Sequence, residues 1–133
     1  MNEGGWSLDT LFAGRPACRA LYEAAERFIT SLGPLEIRVT KTQVSFAVKR
    51  QFAWVWMPQL WTKGRPADSI VLSFTLERRV EHPRIVEAVE PYPGRWMHHV
   101  ILEEDSELDD TLHAWLADAY AYGQVSGRKK KPG

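Results

Sequence analysis

The stretch LEIRVTKTQVSFAVKRQFAWVWM, residues 35–57, contains three strand patterns separated by short turns. Apolar and polar residues alternate over 35–39 and again over 43–48, as they do in strands that bury one face. The run at 52–57 is apolar on both faces, which predicts a strand in the interior of a sheet. Because only residues 49–51 separate the last two strands, we expect them to form an antiparallel hairpin.

Three further strands are predicted after this stretch. A loop is expected first, at 58–69, where two prolines and a glycine interrupt the pattern. The fourth strand then covers 70–76, the fifth covers 84–89 and the sixth covers 95–102. Strands and helices do not alternate along the chain as they do in parallel sheets, so an antiparallel sheet is favoured.

Helical patterns flank the strands on both sides. The first helix should begin at Pro16, because proline suits the first helical position, and should end before Pro34. The last should be capped by Asp105 or Ser106 and stopped by Gly123. The predicted apolar stripes are Ala17, Leu21, Ala24, Ala25, Phe28 and Leu32 in the first helix and Leu108, Leu112, Trp115, Leu116 and Ala119 in the last. The predicted fold is α+β, a mostly antiparallel sheet of about six strands with both helices packed on one face.

Length and composition limit the class of protein. A chain of 133 residues suits one domain, since domains usually have ~100–200 residues. With 44% apolar and 26% charged residues, it is neither disordered nor membrane-spanning. We predict one domain over 1–127 and a disordered basic tail over 128–133. Because Cys18 is the only cysteine and the N-terminus has no signal-peptide pattern, we expect a cytoplasmic protein.

The tail also determines the charge balance. Basic and acidic residues number 17 each, but four of the basic ones lie at 128–131. The rest of the chain has 13 basic against 17 acidic residues, a net charge of −4, which is the wrong sign for a nucleic-acid-binding domain. We therefore expect no contact with nucleic acid beyond weak contact through the tail, and no association with a membrane.

The turn Thr40-Lys41-Thr42, between the first two predicted strands, is the first candidate site, together with Ser45 on the strand that follows. A lysine between two threonines in a tight turn can offer an ammonium, two hydroxyls and backbone N–H groups to one anion. The alternative is an ordinary turn, in which the threonines bond to local backbone and the lysine is solvated.

His98 and His99 are adjacent in the sixth predicted strand, where successive side chains point to opposite faces. One should be a buried core residue against the helices, and the other should be a binding or acid–base candidate on the open face. They cannot both bind one metal ion from a regular strand, and the ligand spacings of zinc sites are missing. Glycine patterns that cradle phosphates are missing too, so we expect neither a metal nor a cofactor.

Trp54 and Trp56 share one face of the third predicted strand. If that face looks away from the helices, the two rings would form an aromatic floor for a flat anionic or aromatic ligand. The basic residues expected at its rim are Arg38, Lys41, Arg50 and Arg78. The alternative is a second apolar layer, covered by the loop at 58–69 or by a twin subunit.

Several short stretches together resemble a family of bacterial domains of unknown function, numbered 5655. The matching stretches are LFAGRP at 11–16, LGP at 32–34, TKTQVSF at 40–46, HPRI at 82–85, RWMHHV at 95–100, LDD at 108–110, WL at 115–116 and AY at 119–120. The resemblance covers residues 8–122 and implies a compact α+β domain. It implies no activity, cofactor or catalytic residue.

The leading hypothesis is a domain that binds a small anionic or aromatic ligand. The candidate ligand-binding residues are Thr40, Lys41, Thr42, Ser45, Trp54, Trp56, His98 and His99. One alternative is an enzyme in which Lys41 and a strand histidine act as acid–base groups. Another is a protein-interaction domain, or a homodimer, with the aromatic face as its interface. Nucleophilic catalysis is not predicted, because the sequence reveals no base partner for Ser45 or Ser73.

Overall fold

An antiparallel sheet forms the centre of the structure, a computed structural model that describes residues 7–57 and 69–125. Within these residues the strands are β1 (Glu36–Val39), β2 (Gln43–Ala47), β3 (Gln51–Trp56), β4 (Ile70–Leu76), β5 (Ile85–Tyr92) and β6 (Arg95–Leu102). Their order in the sheet is β1-β2-β3-β4-β6-β5, and each neighbouring pair is antiparallel. The prediction of a six-stranded, antiparallel sheet is therefore confirmed.

Helices cover one face of this sheet. The helices of the described residues are α1 (Leu8–Leu11), α2 (Pro16–Thr30) and α3 (Asp110–Gln124), with a 3-10 turn at Asp105–Glu107. Tyr22 of α2 stacks on Phe46 of β2, and Trp115 of α3 stacks on Phe74 of β4. Because Phe46 and Phe74 both pair with Ala53, they lie on the same face of the sheet. The α+β fold is as predicted.

The strand register divides the side chains between two faces. The row across β2, β3, β4 and β6 on the helix-covered face consists of Phe46, Ala53, Phe74 and His98. The adjacent row, on the opposite face, consists of Ser45, Trp54, Ser73 and His99. All seven residues of β4 are buried, so this strand has no solvent-facing side. Polar residues of β4 must therefore find hydrogen-bond partners inside the protein.

The beginning of the last helix differs from the prediction. Neither Asp105 nor Ser106 caps α3, because both lie in the 3-10 turn, which the side chains of Glu104 and Glu107 close with a capping box of their own. Asp109 caps the helix instead, where its Oδ1 accepts a hydrogen bond of 3.1 Å from the backbone N–H of Leu112.

Arg84 holds the capping carboxylate in place. Its Nη1 donates to both oxygens of Asp109, at 2.9 and 3.0 Å, and its Nη2 donates to the carbonyl of Glu107 at 2.7 Å. The backbone N–H of Leu112 and, after it, the hydrogen bonds and the charge of Arg84 lower the pKa of Asp109 below its usual range.

The sequence predicts that Gly123 stops the last helix, whereas the structure places Gly123 inside that helix. A Cβ at this position would lie 2.9 Å from Val48 Cγ2 and 3.1 Å from Phe52 Cβ. The missing side chain therefore lets the end of α3 lie directly on the β2–β3 hairpin. The backbone N–H of Arg50 stabilises this contact by donating a hydrogen bond of 3.0 Å to the carbonyl of Gly123.

The structure differs from the prediction in smaller ways at the end of one strand and in the buried face of one helix. Helix α2 buries Cys18, Leu21, Tyr22, Ala25 and Ile29, whereas Ala17 is exposed, so its buried stripe is rotated from the predicted one. Strand β5 extends beyond the predicted end at residue 89 and includes Pro91, which an edge strand tolerates because its outer N–H groups need no partner. Residues 58–68 of the predicted loop and the basic tail at 128–133 lie outside the described residues.

The capping role of Asp109 predicts a difference between two neighbouring aspartates. Asp109→Ala should lower the free energy of unfolding by about 1 kcal/mol, because the helix loses its N-cap acceptor. Asp110→Ala, at the exposed next position, should cost about 0.5 kcal/mol or less, since only a favourable charge near the helix N-terminus is lost. Denaturant unfolding measures both values, and equal losses would contradict the assignment of the cap.

Candidate functional site

A pocket of about 300 Å³ opens on the face of the sheet that the helices leave uncovered. We call it the back-face pocket, and the described residues that line it are Gln43, Trp54, Trp56, Ser73, Met97 and His99. Trp54 is only 8% exposed and Trp56 is half-buried. The two rings therefore form the wall of a recess rather than the exposed aromatic floor that the sequence predicted.

Three adjacent strands place the polar groups of this pocket. Trp54 pairs with Ser73, and Ser73 pairs with His99, so β3, β4 and β6 each contribute one residue to a single row. Trp56 lies two residues along β3 from Trp54, on the same side of the strand. Gln43, at the start of β2, pairs with Trp56 and closes the end of the pocket.

A hydrogen-bond network connects the three strands inside the pocket. The indole Nε1 of Trp56 donates to Ser73 Oγ at 3.0 Å, and Ser73 Oγ lies 2.7 Å from His99 Nδ1. The rings of Trp56 and His99 also meet edge to face, with their centroids 5.7 Å apart. Ser73 accepts from Trp56 and has one hydroxyl proton that it can donate to His99 Nδ1. In that arrangement the neutral imidazole carries its own proton on Nε2.

The environment keeps this imidazole neutral. Burial lowers the pKa of His99 below the usual range of histidine, and the carboxylate of Glu87, its partner on β5, raises it to a lesser extent. A neutral His99 is the state that can accept the hydroxyl of Ser73.

A second network supports the other tryptophan. Trp54 Nε1 donates to Gln51 Oε1 at 3.3 Å, and Gln51 Nε2 donates to Ser45 Oγ at 3.4 Å. Ser45, a predicted site residue, is buried and therefore supports the wall of the pocket from the side. It does not belong to the lining.

The Thr40-Lys41-Thr42 turn lies apart from the pocket. Thr40 closes the turn on itself, since its N–H and its hydroxyl both donate to the carbonyl of Gln43, at 2.9 and 3.1 Å. Lys41 and Thr42 are exposed. This is the local bonding of an ordinary turn, the alternative that the sequence left open.

The register also separates Lys41 from the histidines. Strand β2 lies three strand spacings from β6, which is ~14 Å at ~4.8 Å per spacing, and Lys41 lies beyond the end of β2. A direct acid–base pair needs heavy atoms within ~3 Å of a shared proton. The structure therefore does not bring together Lys41 and a strand histidine, the two groups that the enzyme hypothesis pairs.

His98 lies on the opposite side of β6, in the core. It is fully buried, stacks on Phe74 with centroids 5.2 Å apart, and accepts a hydrogen bond of 2.9 Å from the backbone N–H of Val80 at Nε2. Burial is the main cause that lowers the pKa of His98. The adjacent histidines therefore face different surroundings, and only His99 reaches the pocket.

Two of the arginines expected at the rim point elsewhere. Arg50 packs over the ring of Tyr122, and Arg78 lies 3.8 Å from a carboxylate oxygen of Asp118, so both contact α3 on the helix-covered side. Arg38 pairs with Ser45 and so continues the polar row toward the sheet edge. Among residues 7–57 and 69–125, the pocket is lined by no side chain that carries a full charge at neutral pH when His99 is neutral.

Sequence reasoning missed Ser73 and Met97 as pocket residues. Ser73 was dismissed for lack of a base partner, and the structure supplies one in His99. The pairing of β4 with β6 brings the two together across 26 residues of sequence. The alternation of side chains along a strand could have shown on which face of its own strand each of Ser73 and His99 lies. It could not have shown that the two strands are neighbours in the sheet.

Chemically, the arrangement suits recognition better than nucleophilic attack. A serine next to an imidazole can be activated as a nucleophile, but Ser73 Oγ also accepts from Trp56 and is 1% exposed. Within residues 7–57 and 69–125, the structure assembles no group of three or more His, Cys, Asp or Glu side chains that could hold a metal ion.

The chain belongs to the family described as Domain of unknown function (DUF5655), whose model matches residues 8–123. The resemblance seen in the sequence is thereby confirmed. No curated protein and no solved structure matches the chain. Among the described helices, none has the length and apolar character needed to cross a membrane.

The lowered pKa values of His98 and His99 predict that the protein loses stability in acid. The unfolded chain takes up protons as the pH falls below the ordinary histidine pKa of about 6.5, whereas the folded protein resists protonation. Because the unfolded state then binds more protons, the free energy of unfolding should decrease from there downward.

Denaturant unfolding between about pH 7.5 and pH 5 tests this expectation. His99→Gln should make the pH dependence of the unfolding free energy shallower, and His98 should account for the dependence that remains. A slope for His99→Gln equal to that of the wild type would contradict the buried, neutral state of His99.

Proposed function

We propose that this DUF5655 domain binds a small, uncharged aromatic molecule in the back-face pocket. The observation that carries the proposal is the lining itself, in which two indole rings and a thioether surround the polar pair Ser73–His99. Ligand pockets typically combine apolar and aromatic walls with a few placed polar groups. Here the polar pair is held by Trp56, so its geometry is fixed before a ligand arrives.

The volume of the pocket limits the size of the ligand. Small-molecule sites usually measure ~300–1,000 Å³, and this pocket of about 300 Å³ lies at the lower end. One or two fused rings suit such a volume. Aromatic ligands are favoured over aliphatic ones because the edges and faces of Trp54 and Trp56 offer preferred packing geometries to another ring.

The charge of the pocket favours a neutral ligand over an anion. The described residues of the lining include no lysine or arginine, and burial favours the neutral form of His99. A carboxylate or phosphate would lose its hydration there without gaining a counter-charge. Of the two ligand classes expected from the sequence, the aromatic one is thus supported by the lining, and the anionic one is not.

Indole is a suitable probe, and its charged counterpart indole-3-acetate tests the preference for a neutral ligand. We expect indole at millimolar concentration to shift the NMR signals of the Trp54 and Trp56 indole N–H groups and of the His99 ring. Indole-3-acetate should bind about tenfold more weakly or worse, because its carboxylate is desolvated without a partner.

Two variants localise the binding. Met97→Trp should fill the pocket and weaken indole binding by about tenfold or more, because Met97 lines it and is half-buried. Lys41→Ala, in the turn outside the pocket, should leave the affinity unchanged. Shifts absent at millimolar indole, or affinity lost in Lys41→Ala and kept in Met97→Trp, would overturn the proposal.

A further inference from the structure

We propose that Arg50 and Arg95 form a second binding site, for a phosphate or another tetrahedral oxyanion. The site lies where the β2–β3 hairpin, the β5–β6 hairpin and the end of α3 meet. It is at the opposite end of β2 from the Thr40-Lys41-Thr42 turn, where the sequence had suggested an anion site. It is independent of the back-face pocket and does not rest on the function proposed for that pocket.

Tyr122 fixes the position of Arg50. The Nη2 of Arg50 donates to the carbonyl of Tyr122 at 3.0 Å, and its guanidinium carbon lies 4.3 Å from the centre of the tyrosine ring. The close approach of α3 at Gly123 makes this contact possible. The Nε of Arg50 is buried and has no hydrogen-bond partner within residues 7–57 and 69–125.

The same tyrosine connects to the second arginine. Its hydroxyl donates to the carbonyl of Gly94 at 3.0 Å, directly before Arg95 in the chain. The Nη2 of Arg95 donates to the carbonyl of Gln51 at 3.0 Å, directly after Arg50. Arg95 is therefore anchored directly beside Arg50, and Arg50 is anchored on Tyr122, whose hydroxyl reaches the residue before Arg95.

These two guanidinium groups lack the carboxylate partners that four other arginines have. Carboxylates pair with Arg19, Arg78, Arg79 and Arg84. In the part of the chain that the structure describes, Arg50 and Arg95 form no ion pair with a carboxylate. Burial lowers the pKa of Arg95, and the charge of Arg50 lowers it further, so the two cations are close enough to repel each other.

An oxyanion would resolve this repulsion. A guanidinium has five N–H donors in a planar fork that suits phosphate, sulfate or carboxylate oxygens, and each of the two uses one donor on a backbone carbonyl. Capping the end of α3 explains why Arg50 is present, but it does not explain the second cation beside it. Two positive charges match the charge of a phosphate monoester or of inorganic phosphate.

Binding of inorganic phosphate to the full chain tests the proposal, with chloride at equal ionic strength as the reference. Phosphate should raise the melting temperature and shift the NMR signals of the Arg50 and Arg95 Nε–H groups. Arg95→Gln should weaken phosphate binding by about tenfold or more. Phenyl phosphate distinguishes a free anion from an ester, because an ester site should bind it at least as tightly as phosphate.

Arg27→Gln, at an exposed position on α2, is the matched control and should respond to phosphate like the wild type. Met97→Trp should also respond normally, which separates this site from the back-face pocket. Arg50→Gln should weaken phosphate binding in the same way as Arg95→Gln. If Arg50→Gln does not fold, Arg95→Gln alone decides the test. The proposal is overturned if phosphate leaves both Nε–H signals unchanged, or if Arg95→Gln and Arg27→Gln respond equally, since anions also stabilise proteins without a site.

Discussion

The hydroxyl of Ser73 is the group on which the back of the sheet depends. It lies in the middle of β4, a strand buried on both faces, so water cannot satisfy it. An unpaired buried hydroxyl would cost about 1–3 kcal/mol. Trp56 from β3 donates to it, and His99 from β6 lies 2.7 Å from it. The same two contacts that satisfy the serine therefore connect three neighbouring strands and shape the pocket between them.

Histidine and aromatic side chains have different roles on the two faces of the sheet. On the helix-covered face, His98 joins a stack with Phe74 and Trp115 and serves the core. On the other face, His99 meets Trp56 edge to face and helps to form a recess. Burial lowers the pKa of both histidines and so favours their neutral forms. Two cations, Arg50 and Arg95, lie at the end of the sheet, where they have no carboxylate partner among the described residues, so neutral and anionic ligands are expected at separate places.

Local patterns in the sequence predicted the fold well, because alternation and helix signals depend on near neighbours. They predicted the strands, the antiparallel sheet and the opposite orientation of His98 and His99. The sequence did not predict which of two similar residues takes a given role, or which strands are neighbours. Asp105 and Asp109 are equally good caps by residue type, and the choice between them depends on Arg84, which is distant in sequence. The Ser73–His99 contact depends on β4 pairing with β6 rather than with β5, which no local pattern reports.

The central claim is that a neutral His99 accepts the hydroxyl of Ser73 at Nδ1. Long-range proton–nitrogen NMR of the histidine rings at neutral pH measures this state directly, because protonated and unprotonated ring nitrogens have distinct shifts. The account predicts that His99 is neutral, with the proton on Nε2 and with Nδ1 as a hydrogen-bonded acceptor. A charged ring, or a neutral ring with its proton on Nδ1, would contradict the account.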